Sequence, residues 1–133
     1  MALLGLLLGK FLAYCAFFLW APRLLRIAPN DPGRFALRWA AMRLALGLLA
    51  IVPAFVTAFA LGRVGLSSGV AFYAGVFGMR ALIWASMAAA ICRRHGAARS
   101  VRWAGWIGVG LLVNLIFDLL AQAAGADDFK YFC

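Results

Sequence analysis

Four apolar segments alternate with short polar or basic segments along the chain. Predicted helices 1 to 4 comprise residues 2–21, 34–61, 70–92 and 103–124. The first could continue to Ile27. Because about 20 mostly apolar residues can cross the hydrocarbon core of a bilayer, the pattern predicts an all-α, four-helix transmembrane bundle. We expect residues 1–133 to form a single domain.

Turn-forming residues mark the connections between the predicted helices. The run Pro29–Gly33 ends helix 1, and Asp31 followed by Pro32 is a suitable N-cap and first residue for helix 2. Pro53 predicts a kink inside helix 2, since its ring removes a helical hydrogen bond. Pairs of small residues at i,i+4 spacing favour close helix packing. These stripes are Gly5/Gly9, Ala50/Ala54/Ala58, Ala71/Gly75, Ala74/Gly78 and Ala104/Gly108.

Eight arginines are concentrated near two of the three connections, those after helices 1 and 3. They are Arg23, Arg26, Arg34, Arg38, Arg93, Arg94, Arg99 and Arg102. The middle connection has only Arg63, and the tail has Lys130 with Asp127 and Asp128. The positive-inside rule therefore predicts a multi-pass inner-membrane protein with these two loops in the cytoplasm and both termini outside. We expect the eight arginines to contact anionic lipid headgroups.

Composition excludes the ordinary soluble classes. The chain is 67% hydrophobic and 13% charged, whereas soluble domains have roughly 45–50% and about 25%. Its mean hydropathy of +0.97 also excludes a disordered chain. A net charge of +9 in a soluble protein would suggest a nucleic-acid partner. Because the basic residues lie beside apolar segments, we expect no nucleic-acid partner here.

A faint internal repeat relates the two halves of the sequence. Residues 18–21 (FLWA) match residues 82–85 (LIWA), and residues 38–40 (RWA) match residues 102–104 at the same offset of 64. Such a repeat would give two tandem helical hairpins in parallel orientation. Chance similarity in a chain rich in Leu, Ala and Arg explains the matches equally well.

One face of predicted helix 4 carries the clearest chemical pattern. Gly110, Asn114, Asp118 and Gln122 recur at i+4 and so share a helix face. Asp118 is the one acid inside a predicted span. A charge at that depth costs at least about 2.5–3.5 kcal/mol, so it should face the protein interior, a partner or water. The stripe predicts either a polar path or a hydrogen-bonded helix seam.

Two cations, Lys10 and Arg80, lie near the centres of predicted helices 1 and 3. Either could pair with Asp118, and one acid cannot neutralise both, so the interior would keep a positive surplus that attracts an anion. Alternatively, one cation reaches the headgroups and the other makes a structural ion pair. Tyr73, Phe77, Arg80 and Trp84 form an aromatic face, either a binding wall or ordinary packing. The predicted substrate-binding residues are Lys10, Tyr73, Arg80, Asn114, Asp118 and Gln122.

The known enzyme and metal motifs are missing from the sequence. It contains no HExxH, P-loop, GxSxG or paired-carboxylate motif. Cys15, Cys92 and Cys133 form no CxxC pair, and His95 is the single histidine. We therefore expect neither enzymatic activity nor a metal or other cofactor.

The buried charges predict a transporter or channel for a small polar or anionic solute or a lipid headgroup. Because four packed helices leave little lumen, a path would require a homo-oligomer or a groove between protomers. The alternative is a non-catalytic subunit, assembly factor or immunity-type partner of a larger membrane-protein complex, in which the buried charges contact the partner.

Overall fold

The computed structural model describes residues 2–95, 102–123 and 125. Within them all regular structure is helical. The helices are α1 (Ala2–Leu25), α2 (Pro32–Leu49), α3 (Ile51–Arg63), α4 (Ser68–His95) and α5 (Arg102–Ala123). Helices α1, α4 and α5 are each long and apolar enough to cross a membrane, and α2 with α3 would make a fourth span if the bent pair is counted as one. The all-helical prediction is confirmed for this part of the chain.

The kink predicted in helix 34–61 is confirmed, but the segment is not one continuous helix: it is two helices that meet at Ala50 with a bend of 43°. Pro53 has no N–H to donate to the carbonyl of Leu49, so the helical ladder is interrupted at this point. The ladder resumes at once, since the amide of Ala54 donates to the oxygen of Ala50 at 3.0 Å. The chain therefore changes direction without an intervening loop.

The turn between α1 and α2 has capping groups on both sides. Helix α1 continues beyond residue 21 and ends at Leu25, where Arg26 adopts a left-handed φ of 52°. The amide of Ile27 then donates to the oxygen of Pro22 at 3.0 Å, as in a Schellman cap. Asp31 is the N-cap of α2, and its side chain accepts a hydrogen bond from the amide of Arg34 at 3.0 Å. The predicted Asp-Pro helix start is thus confirmed.

Helix α1 packs against α2 and α5, while α4 packs against α3 and α5 and also contacts α2. The core between these helices contains the aromatic cluster Phe17, Phe18, Trp84 and Trp106. The Phe17 and Trp106 rings lie 4.9 Å apart, and the Trp106 indole donates to the oxygen of Trp84 at 3.2 Å. Helix α4 packs more extensively against α3 than against α5. The arrangement of two equivalent tandem hairpins stays a prediction.

Two glycines permit the closest helix contacts. A Cβ at Gly75 would lie 2.8 Å from the oxygen of Ala54 and 3.0 Å from the nitrogen of Ala58, so α3 and α4 touch through their backbones. A Cβ at Gly110 would clash with the Trp84 ring. Gly78, in a second predicted stripe of α4, meets nothing within 4 Å. Only some of the predicted small-residue stripes therefore carry helix packing.

Candidate functional site

Four buried side chains from four helices form a central polar cluster: Tyr14, Arg43, Trp84 and Asn114. The Tyr14 hydroxyl donates to Asn114 Oδ1 at 2.5 Å, and Arg43 Nη2 donates to the same oxygen at 3.4 Å. Asn114 Nδ2 in turn donates to the oxygen of Gly110 at 2.9 Å. The Arg43 guanidinium lies 5.3 Å from the Tyr14 ring centroid and 5.1 Å from that of Trp84. This cluster joins α1, α2, α4 and α5 at one level.

Arg43 was missed by the sequence prediction, which placed only Lys10, Arg80 and Asp118 inside the helices. The structure buries Arg43 completely. A signal was present, because Arg43 follows Trp39 by one helical turn and is followed by Gly47 at the same interval. All three are buried on one face of α2, so that face contributes a cation to the interior.

Asp118 pairs with Arg80 on α4, one of the two cations that the sequence offered as its partner. Arg80 Nη1 donates to Asp118 Oδ2, and Arg80 Nη2 donates to Asp118 Oδ1 at 3.2 Å, so the contact is bidentate. The Arg80 side chain is 3% exposed and that of Asp118 is 15% exposed. The guanidinium also lies 5.7 Å from the Phe77 ring centroid. The pair therefore sits at the edge of the core, with its carboxylate on the more open side.

Lys10 is completely buried on α1, one turn from Tyr14. Tyr14 faces Asn114, and an ideal Cβ at Gly9 would lie 3.4 Å from the Phe117 ring. Since α1 and α5 run in opposite directions through these contacts, Lys10 lies at about the level of Asp118. Three basic side chains, those of Lys10, Arg43 and Arg80, are buried in the described helices, and the carboxylate of Asp118 is partly buried.

A groove of about 140 Å³ lies between the N-terminal half of α4 and the C-terminal half of α5, and the Arg80–Asp118 pair lines it. Its other lining residues are Phe72, Tyr73, Val76, Phe77, Leu115, Leu119 and Gln122. Tyr73 and Leu119 are 54% and 56% exposed, so the groove opens on the outer surface of the two helices. It is a lateral recess with mainly apolar walls and one ion pair.

The polar stripe of α5 runs from the core to the surface. Gly110 and Asn114 are buried, Asp118 is partly exposed, and Gln122 is exposed. Beyond Asn114, the aromatic cluster occupies the interior of the described helices. The stripe is therefore open at one end and closed at the other, which fits neither a continuous polar path nor a seam buried along its whole length.

Four of the six predicted binding residues line the groove, namely Tyr73, Arg80, Asp118 and Gln122. Asn114 belongs instead to the central polar cluster, and Lys10 is buried on α1. The predicted aromatic face of α4 is divided, since Trp84 is in the core while Tyr73 is exposed.

Of the eight arginines near the two basic connections, those whose side chains the structure describes are all exposed. They are Arg23, Arg26, Arg34, Arg38, Arg93 and Arg94. Arg99, the tail 126–133 and the side chain of Arg102 lie outside the described residues.

Arg80 is the group in the groove that can bind an anion. A planar guanidinium can hold a carboxylate or phosphate through two parallel hydrogen bonds. Here the Arg80 guanidinium already holds a carboxylate in this way, so an incoming anion would compete with Asp118 for it.

In comparisons with known proteins, no protein-family model, curated protein or solved structure that we searched matches this chain.

Proposed function

We propose that this chain is an inner-membrane protein, a four-helix bundle in which α2 and α3 form one broken span, and that it acts as a carrier for an anionic amphiphile. The headgroup would bind Arg80 in the groove between α4 and α5. The observation that carries this proposal is the Arg80–Asp118 ion pair at the base of a lateral groove with apolar walls.

Membrane insertion is supported by the distribution of polar and apolar groups. Large apolar side chains lie on the outside of α1, where Leu4 is 71% exposed and Leu8 is 58% exposed. Lys10 and Arg43 lie inside with no exposed surface. Water favours the opposite arrangement, whereas a hydrocarbon solvent favours this one. The arginines near the helix ends favour an orientation with their two loops in the cytoplasm.

A carrier fits the geometry better than an open channel. The groove reaches the protein surface beside Leu115 and Leu119, where acyl chains would lie in a bilayer. Its polar end stops at the ion pair, and the aromatic cluster closes the interior beyond it. A molecule with an anionic head and an apolar tail could place its head at Arg80 and leave its tail among the lipids.

The ion pair itself would help to bind and release an anion. The Arg80 guanidinium can hold one anionic group through two parallel hydrogen bonds, and the Asp118 carboxylate occupies that position in the structure. The carboxylate is more exposed than the guanidinium and would be displaced as the headgroup enters. Exchange between Asp118 and the headgroup at a single guanidinium would give a reversible site, which a carrier needs.

The test is transbilayer movement of a fluorescent anionic phospholipid in liposomes that contain the purified protein. Leu119→Trp places a large ring in the groove and leaves Arg80 and Asp118 unchanged in the sequence, so we expect it to block movement. Leu112→Trp is the matched control, because Leu112 is 54% exposed on the same helix but does not line the groove. Asp118→Asn should also abolish movement while the protein stays folded.

Equal rates for the two tryptophan variants would reject the groove as the binding site. Movement of a small soluble anion, without movement of lipid, would assign the site to a solute carrier instead. A protein that elutes only with a partner and moves neither substrate would favour the alternative, a non-catalytic subunit of a larger membrane complex.

A further inference from the structure

A second pocket lies at the opposite end of α4 from the groove, where its last turn meets the first turns of α2. The pocket has a volume of about 360 Å³. It is lined by Arg34, Phe35, Arg38, Trp39, Arg94 and His95. This volume is within the range of about 300–1,000 Å³ that is usual for small-molecule sites. The carrier function proposed above makes no use of it.

The rim of this pocket is strongly basic. Arg34 and Arg38 are one turn apart on α2, and Arg94 faces them from α4. Asp31 is the nearest acid in the chain among the described residues, and it engages only Arg34, through an exposed contact of 3.3 Å. The described part of the chain shows no ion pair for Arg38 or Arg94. Their guanidinium groups can therefore serve an external anion.

The floor of the pocket is apolar and aromatic. Phe35 and Trp39 are only 8% and 4% exposed, so their rings form a fixed surface beneath the arginines. The His95 ring stands edge-on to Phe35 at 5.8 Å between centroids. A free inorganic anion gains nothing from an apolar floor, whereas the glycerol and first methylene groups of a lipid would pack against it.

We propose that this basic pocket binds the phosphate group of an anionic phospholipid, with Arg38 and Arg94 as the principal contacts. Basic pockets between membrane helices on the cytoplasmic side suit anionic headgroups, and these arginines belong to the loops that the charge distribution places there. The inference rests on the proposed membrane insertion and does not depend on the groove at Arg80.

The experiment places the full chain in nanodiscs of phosphatidylcholine with a minor fraction of phosphatidylglycerol. Native mass spectrometry then measures how much phosphatidylglycerol stays bound to the protein. The test variant is Arg38→Gln with Arg94→Gln. The matched control is Arg23→Gln with Arg26→Gln, which removes the same charge from the same side of the protein but outside the pocket.

Each guanidinium that contacts the bound phosphate contributes about 5-fold, so the pocket variant should lose about 25-fold in phosphatidylglycerol retention. Arg23 and Arg26 do not line the pocket, so the control should lose less than about 5-fold. Arg38→Lys with Arg94→Lys keeps the charge and should restore most of the binding. Equal losses in the two glutamine variants, or no loss in either, would overturn the pocket. Displacement of the lipid by submillimolar inorganic phosphate would overturn the lipid as the ligand.

Failure of this inference is distinguishable from failure of the proposed function. A protein that cannot be incorporated into nanodiscs contradicts membrane insertion and therefore both proposals. A protein that incorporates and moves lipid, yet retains phosphatidylglycerol equally in both glutamine variants, contradicts the basic pocket alone.

Discussion

Replacing Asp118 with Asn removes the negative charge that pairs with Arg80 and accepts two hydrogen bonds from it. The shape of the side chain is kept, so the change isolates the loss of the ion pair. The Arg80 side chain is only 3% exposed, and water cannot take over the role of the carboxylate there. We therefore expect Asp118→Asn to lower the free energy of unfolding.

The size of this effect can be bounded in two ways. Removing one partner of a buried ion pair costs about 3–5 kcal/mol, and a charge near the middle of a membrane helix costs about 2.5–3.5 kcal/mol. The contact between Arg80 and Phe77 and the opening of the groove reduce this cost. We expect a loss of about 2–3 kcal/mol for Asp118→Asn. The double variant with Arg80→Gln removes both charges and should lie within about 1 kcal/mol of the original protein.

The assay is a double-mutant cycle, with the free energy of unfolding measured by denaturant titration in mixed micelles. A matched control is the exposed pair of Arg34 and Asp31, whose side chains are 91% and 53% exposed. The double-mutant cycle for that exposed pair should give a coupling energy below about 1 kcal/mol. For the buried pair we expect a coupling energy of at least about 2 kcal/mol.

Additive effects at Arg80 and Asp118 would refute this reasoning. So would a loss below about 0.5 kcal/mol for Asp118→Asn, because that is the range of ordinary surface changes. Either result would mean that the two side chains do not form a buried, mutually dependent pair.

Two further predictions concern the packing that holds the site. Gly75→Ala places a methyl group against backbone atoms of α3 and should destabilise the protein by about 1–3 kcal/mol. Gly78→Ala on the same helix meets open space and should be neutral or slightly stabilising in the same titration. Tyr14→Phe loses the hydrogen bond to Asn114 and should cost about 1 kcal/mol, whereas Tyr73→Phe at an exposed position should change little. Equal effects within either pair would contradict the contacts that the structure assigns.

The features that depended only on helix geometry and charge balance were predictable from the sequence. Spacing of four residues placed Asn114, Asp118 and Gln122 on one face because any α-helix does so. The high cost of an isolated carboxylate at that depth implied a cationic partner. Tyr73, Arg80, Asp118 and Gln122 then meet at one groove because α4 and α5 are neighbours, which the stripe alone did not specify.

The features that depended on tertiary packing were not predictable in this way. Pro53 indicated a disturbed helix, but it specified neither a bend of 43° nor the close packing of α3 against Gly75. Tyr73 and Trp84 share an ideal helical face, yet a long helix meets different neighbours at its two ends. Arg43 was overlooked because only Lys10, Arg80 and Asp118 were considered as charges inside the helices, although it lies well inside α2.

Photo-crosslinking to lipid tests most directly whether the groove holds an anionic headgroup. A photoreactive diazirine analogue of leucine, which is close to leucine in size, would replace Leu119 in the groove or, as the control, Leu112 on the same helix. The protein would be reconstituted in mixed phosphatidylglycerol and phosphatidylcholine. One guanidinium is worth about 5-fold in attraction, so adducts at position 119 should be enriched about 5-fold in phosphatidylglycerol over the bulk. Those at position 112 should match the bulk composition, and the same composition at both positions would contradict an anion-binding groove at Arg80.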